Sequence, residues 1–174
     1  ADLLYQRALA IREQGLGASH LDTVTSLGNL ASFYKDQVKY GEAEPLLKRA
    51  LAIREQKLGV SHPATATSLG NLASLYQAQG KYGEAEPLLK QALAVHEQKL
   101  GASHPDIVTS LDGLATLYQT QGKYGEADLL YQRALAIREQ GLGVNHPATA
   151  LSLQSLALLY VEWGKYAEAE PLYQ

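Results

Sequence analysis

The chain has 174 residues, enough for one ordinary domain or for four periods of 42 residues with six left over. Its 46% hydrophobic and 19% charged composition excludes a disordered chain, and no apolar run reaches the roughly 18 residues of a membrane span. The absence of cysteine excludes thiol nucleophiles, disulfides and cysteine-ligated metal sites, and a net charge of −3 disfavours nucleic acid, whose phosphates call for a basic stripe.

Residues 1–17, ADLLYQRALAIREQGLG, contain no basic segment followed by an unbroken apolar stretch. No targeting peptide is evident, and the expected location is cytoplasmic. The same letters recur at 127–143, which makes this segment the second half of a repeat. Complete repeats follow at 18–59, 60–101 and 102–143, and an incomplete one at 144–174; the units 18–59 and 60–101 are identical at 31 of 42 positions. His20, His62, His104 and His146 keep this step, as do Tyr34, Tyr76, Tyr118 and Tyr160, and Tyr40, Tyr82, Tyr124 and Tyr166.

Each repeat holds two helical patterns. In 60–101, Leu69, Leu72, Ala73 and Tyr76 fall at i, i+3, i+4 and i+7, which predicts a first helix over about 63–79. Pro63, Pro105 and Pro147 suit the first helical position, and Gly80, Gly122 and Gly164 supply the left-handed turn that ends the helix. Ala85, Leu89, Ala92 and Leu93 predict a second helix to about Leu100, closed by Gly101. Pro87 forfeits one backbone bond to Gly83, whose missing Cβ removes most of the steric conflict, so a slight bend rather than a break is expected; Pro45 with Gly41 repeats the pairing. Two such helices cannot bury their stripes alone. Stacked units can, with Ala73, Ala85 and Ala92 at close approaches, which gives an all-α solenoid whose first helices line a concave face.

The segment LGNLASLYQAQGKYGEAEPLLKQAL resembles the tetratricopeptide pattern, carried by Leu69, Leu72, Ala73, Tyr76, Gly80, Tyr82, Ala85, Leu89 and Ala92. The eight additional residues per repeat, EQKLGxSH, make the period similar to that of kinesin light chain-like repeats. The resemblance covers the whole chain. It implies a right-handed α-α superhelix of antiparallel helix pairs acting as a non-catalytic protein–protein interaction scaffold. In the relatives an asparagine pair before Leu-Ala faces the cargo groove. Here Asn29 and Asn71 keep the second member, Gly28 and Gly70 occupy the first place, and Asp112–Gly113 and Gln154–Ser155 stand in the later units.

The four period-spaced histidines are separated by at least a helix spacing, about 8–10 Å, whereas zinc ligands all lie about 2 Å from the ion. They are expected to cap the first helices or bridge to the preceding one. His96 replaces Arg12, Arg54 and Arg138, on what is read as a solvated outer face. The carboxylate pairs Glu42/Glu44, Glu84/Glu86, Glu126/Asp128 and Glu168/Glu170 read as solvated helix-start charges, with Glu44–Lys48 and Glu86–Lys90 in the favourable i, i+4 order. No phosphate loop and no nucleophile–histidine–acid arrangement is present, so no catalytic residue, cofactor or metal is expected.

The concave lining is expected to comprise Thr25, Asn29, Ser32 and Lys35, then Thr67, Asn71, Ser74 and Gln77, then Asp112, Thr116 and Gln119. Only Lys35 is basic in this set. Clamping a terminal carboxylate takes several converging cations, so small polar side chains and amides instead suit an extended or helical segment of a peptide or protein. In the fourth repeat Leu151, Leu158 and Val161 replace polar residues and Trp163 replaces glutamine, an apolar strip read as a contact surface or as packing under a further helix. Neither end carries a polar cap, and Ala169–Gln174 are in phase with Ala1–Gln6. The chain is therefore expected to be a piece of a longer array, able to self-associate head-to-tail as an architectural spacer.

Overall fold

The computed structural model describes residues 2–173. Among them nine α-helices and a closing 3-10 turn follow one another without a strand: α1 (Asp2–Leu16), α2 (Leu21–Asp36), α3 (Tyr40–Leu58), α4 (Pro63–Ala78), α5 (Tyr82–Leu100), α6 (Ile107–Thr120), α7 (Tyr124–Leu142), α8 (Pro147–Glu162) and α9 (Tyr166–Ala169), then Glu170–Tyr173. None is long and apolar enough to cross a membrane. The fold is all-α, built of consecutive helix pairs, as the period-spaced stripes imply. The chain divides into two compact units, Ala1–Val95 and His96–Gln174, with the division inside α5.

In the first unit Leu9 of α1, Val24, Leu27 and Leu30 of α2, and Ala50 and Ile53 of α3 form one core cluster, edged by Phe33, Tyr34 and Leu46. A second joins Ala66 and Leu69 of α4 to Ala92 and Val95 of α5. In the second unit Ala115, Ala127, Tyr131, Leu156 and Leu159 pack with Tyr118, Tyr124 and Tyr160 at the margin. Ala31, Ala43, Ala73, Ala85, Ala115, Ala127 and Ala157 are wholly buried. A larger side chain at any of them would hold two helices apart, because protein interiors are close-packed.

The helix starts are built by the period-spaced histidines. His20, His62 and His146 are N-caps in extended conformation, and each accepts a hydrogen bond at Nδ1 from the backbone N–H two residues on, at 3.1–3.2 Å. This satisfies one of the donors that a helix start leaves unpaired. Pro63 and Pro147 occupy the first helical turn as expected. Pro105 does not. It lies in the turn before α6, where Ile107 and Val108 donate to His104 and Pro105 in i to i+3 bonds, so α6 begins later than its counterparts. His104 still accepts from the Asp106 N–H at 3.2 Å.

The second helices run continuously through Pro45 and Pro87. They end at glycines such as Gly59, at φ 91° and ψ 160°, a region essentially reserved for glycine. The Gly59 carbonyl accepts the hydroxyl of the buried Thr65 at 2.8 Å, and Gly17 with Thr23 and Gly143 with Thr149 repeat the link.

Between the helices of a pair, Gly80 (φ 72°) donates to Gln77 and Lys81 donates to Tyr76, a Schellman turn that also stands at Gly122 and Gly164. Each turn lays a lysine over the tyrosine that accepts its N–H, with Lys81 5.6 Å from the Tyr76 ring. In the first repeat the left-handed position is Val38, at φ 61°. A β-branched residue there crowds the following carbonyl, at a cost of about 1–2 kcal/mol. Val38 is exposed, so its side chain returns little burial. Val38→Gly is expected to raise stability by about 1 kcal/mol in urea unfolding, and an unchanged or lower midpoint would refute this account.

Candidate functional site

The faces of α2 and α4 enclose a cavity of about 350 Å³ in the first unit, floored by α3. Thr25, Asn29, Ser32 and Lys35 of α2 line it, as do Asn71 and Ser74 of α4, and Lys35 Nζ donates to Ser74 Oγ at 3.1 Å. These are six of the eight positions read from the first two complete repeats. Thr67 and Gln77 are not in the lining; Thr67 turns its hydroxyl back to the Pro63 carbonyl at 3.2 Å. Leu47 and Ala50 of α3 supply the apolar floor.

One lining residue was not legible on the first helices at all. Arg54, on α3, reaches the cavity and donates through Nη1 to the Ala64 carbonyl at 2.9 Å and Ser68 Oγ at 2.8 Å. Arg12 of α1 makes the same pair of bonds, to the Asp22 carbonyl and Ser26 Oγ. Arg138 of α7 bonds Ser152 Oγ of α8. This position therefore ties each second helix to the start of the next first helix. His96 occupies it too: it is buried and lies 2.9 Å from Ser110 Oγ. The solvated outer face expected for His96 is thus incorrect, because the next helix covers that side. A side chain long enough to reach the following helix could have signalled this from the pattern Arg-x₁₃-Ser, present at 12/26, 54/68 and 138/152.

The carboxylate pairs need a similar correction. Glu44–Lys48 and Glu86–Lys90 form their i, i+4 bridges at 2.7 Å. Glu44, however, also accepts the Tyr76 hydroxyl at 3.3 Å, while Asp2 accepts that of Tyr34 and Asp128 that of Tyr160. The second carboxylate of these pairs is a link between repeats rather than only a solvated charge. Its bond to Lys48 holds the Glu44 carboxyl below its ordinary value, against an opposing effect of burial.

In the second unit the expected groove residues are engaged with neighbours. Asp112 accepts Arg138 Nη2 at 2.9 Å, Thr116 Oγ1 lies 2.9 Å from the Tyr131 hydroxyl, and Gln119 donates to Glu162 at 2.8 Å. Burial pushes the Asp112 carboxyl above its ordinary value, which the adjacent Arg138 only partly offsets, and Oδ1 is buried without a hydrogen-bond partner. Leu151, Leu158 and Val161 stand exposed on α8. Trp163 leaves that strip: it ends α8, stacks on Tyr124 with centroids 6.1 Å apart, and carries Lys165 Nζ 3.3 Å above its ring. No group of three or more His, Asp or Glu among the described residues is placed to hold a metal.

A native state that raises the pKa of Asp112 takes up its proton before the unfolded chain does on acidification. The contribution of Asp112 to stability is fullest at low pH and falls as pH rises from the unfolded value near 3.8 through the folded one. Asp112→Asn lacks this loss. Its stability relative to the parent chain should therefore climb with pH across that window, measured by urea unfolding at several pH values; a difference that declines there would contradict the assignment.

The tetratricopeptide repeat family model matches residues 4–56, 25–98, 64–140 and 130–174. The crystal structure of a Podosopora anserina putative kinesin light chain with nearly identical TPR-like repeats is similar, at 32% identity and a TM-score of 0.76, over 99% of this chain and 82% of that one. BtubC (BKLC) from P. vanneervenii is 26% identical with a TM-score of 0.80, over 99% and 68%. The MamA protein shares the fold at 16% identity and a TM-score of 0.61, over 99% and 87%. No curated protein matches the chain.

Proposed function

The chain belongs to the tetratricopeptide repeat family, whose repeats generally mediate protein–protein interaction, and from this we infer that it is a non-catalytic scaffold binding a peptide or protein segment in a groove. The observation that supports this most is the first-unit cavity, where small polar side chains and two amides surround an apolar floor. Such a lining suits a segment whose backbone hydrogen-bonds to Asn29 and Asn71 while its side chains meet Leu47 and Ala50. Thr67 and Gln77 extend the groove within the first unit in this proposal, while in the second unit Asp112, Thr116 and Gln119, with the exposed Leu151, Leu158 and Val161, offer contacts of their own. The partner is protein rather than nucleic acid or membrane, consistent with the net charge of −3, and cytoplasmic.

A second reading, a head-to-tail array, is favoured by α1. Leu4 is 71% and Ile11 59% exposed, whereas their counterparts Leu46 and Ile53, one period later, are half-buried and buried. A first helix from another copy would cover that face as α2 covers its own neighbour. The register joining Ala169–Gln174 to Ala1–Gln6 runs through Ala1 and Gln174, which lie outside the described residues.

Peptide selection on the whole chain separates these readings. The groove proposal expects a selected peptide to bind saturably and to lose at least tenfold in affinity in Asn29→Ala/Asn71→Ala, with unfolding unchanged. The array proposal expects sedimentation to show concentration-dependent growth that Ile11→Glu suppresses, with no selected peptide depending on those asparagines.

A further inference from the structure

The two units repeat the same helices with different side chains at the cavity. In the first, Gly28, Ser32, Lys35 and Leu47 line it, and a Cβ built on Gly28 would meet nothing within 4 Å. Two periods on, in the second unit, these positions are Asp112, Thr116, Gln119 and Tyr131. Tyr131 stands on α7 where Leu47 stands on α3, and its hydroxyl extends beyond a leucine's reach. That hydroxyl donates to Gln119 Oε1 at 3.1 Å and lies 2.9 Å from Thr116 Oγ1, so with its one proton given to Gln119 it accepts from Thr116. Gln119 carries the chain on, donating through Nε2 to Glu162 of α8 at 2.8 Å. Asp112 makes a second crossing, from α6 to Arg138 of α7 at 2.9 Å, which Gly28 has no side chain to make. Positions that border an open space in the first unit are thus bonded to one another in the second. Tyr131 is buried, and desolvation pushes its hydroxyl above the ordinary value.

We propose that Tyr131 and Asp112 bar the second unit to a bound segment and so confine its primary seat to the first unit. This rests on the groove reading above and ranks its two parts. Thr116 and Gln119 become available to a segment only when the Tyr131 hydroxyl is displaced, and that displacement leaves buried polar groups to be satisfied anew. A segment entering the second unit gives up part of its binding free energy to open it, whereas the first-unit cavity is already formed. The bar lies in side chains rather than in backbone, so exchanging two residues between equivalent positions should move it. Leu151, Leu158 and Val161 stay exposed on α8 in either state.

The first arm of the test needs no peptide. Ala50, on the cavity floor, and Ala134, its counterpart in the second unit, carry methyl groups whose NMR relaxation by a soluble nitroxide reports access to each space. In the full chain the nitroxide should relax Ala50 more than Ala134, and in Asp112→Gly/Tyr131→Leu the Ala134 methyl should rise to the Ala50 level. Equal relaxation in the parent chain, or an Ala134 methyl unmoved in a variant that unfolds as cooperatively as the parent, overturns the bar. The second arm uses a peptide selected on the parent chain. It should shift the side-chain amides of Asn29 and Asn71 and leave that of Gln119 in place. Gly28→Asp/Leu47→Tyr, which retains both asparagines, should cost about tenfold or more in affinity. A parent-chain peptide that shifts Gln119 as much as Asn29, or one indifferent to Gly28→Asp/Leu47→Tyr, overturns the proposal while the groove stands. Unequal methyl access with no peptide bound by the parent or by either variant overturns Tyr131 and Asp112 as selectors of a segment, and with them the groove.

Discussion

Each repeat depends on the one after it, because two amphipathic helices joined by a tight turn have more apolar surface than they can cover between themselves. Helix α3 covers α2 with Ala50 and Ile53, while Leu51 of the same helix packs against Ala66 and Leu69 of α4. Wholly buried alanines let the backbones approach, and polar ties then fix how neighbouring helices sit. Arg12 and Arg54 reach the start of the next first helix, and Asp2 and Glu44 receive tyrosine hydroxyls from its far end. A helix held near both ends by charge-assisted bonds has little freedom to slide or rotate, so the same 42-residue spacing yields the same packing in each unit.

The cavity is a product of this arrangement rather than an addition to it. Arg54 lies where it does because it must reach Ala64 and Ser68 to tie α3 to α4. Gly28 of α2 leaves the cavity open beside it, and in the second unit Asp112 stands at the equivalent position with a buried, unpartnered oxygen. A residue that ties two helices together thus also lines the cavity between them.

Much of this was legible in advance because it is local. The stripes at i, i+3, i+4 and i+7, the glycines after each first helix and the histidines before it all act within one or two turns, where spacing and conformation decide the outcome. The histidine caps stand where spacing put them, and Thr25, Asn29, Ser32, Lys35, Asn71 and Ser74 share one cavity. The misplacements share one cause. His96, the second carboxylates and Trp163 each take their role from a different helix, 14 residues on for His96–Ser110, 32 residues on for Glu44–Tyr76 and 39 residues back for Trp163–Tyr124. A helical wheel assigns each to an outer or inner face of its own helix and has no means of seeing the neighbour. Pro105 failed differently, through a turn of i to i+3 bonds that delays α6.

Taken alone, the sequence determined the period, the helix pairs, the family and the residues on the first helices, since identical letters every 42 residues must adopt equivalent conformations wherever local forces dominate. Only the tertiary structure decided that the second helix α3 also reaches the first-unit cavity. Arg54 enters it from beneath because packing brings α3 under the faces of α2 and α4, a proximity set by burial across the fold and written in no single stretch of chain.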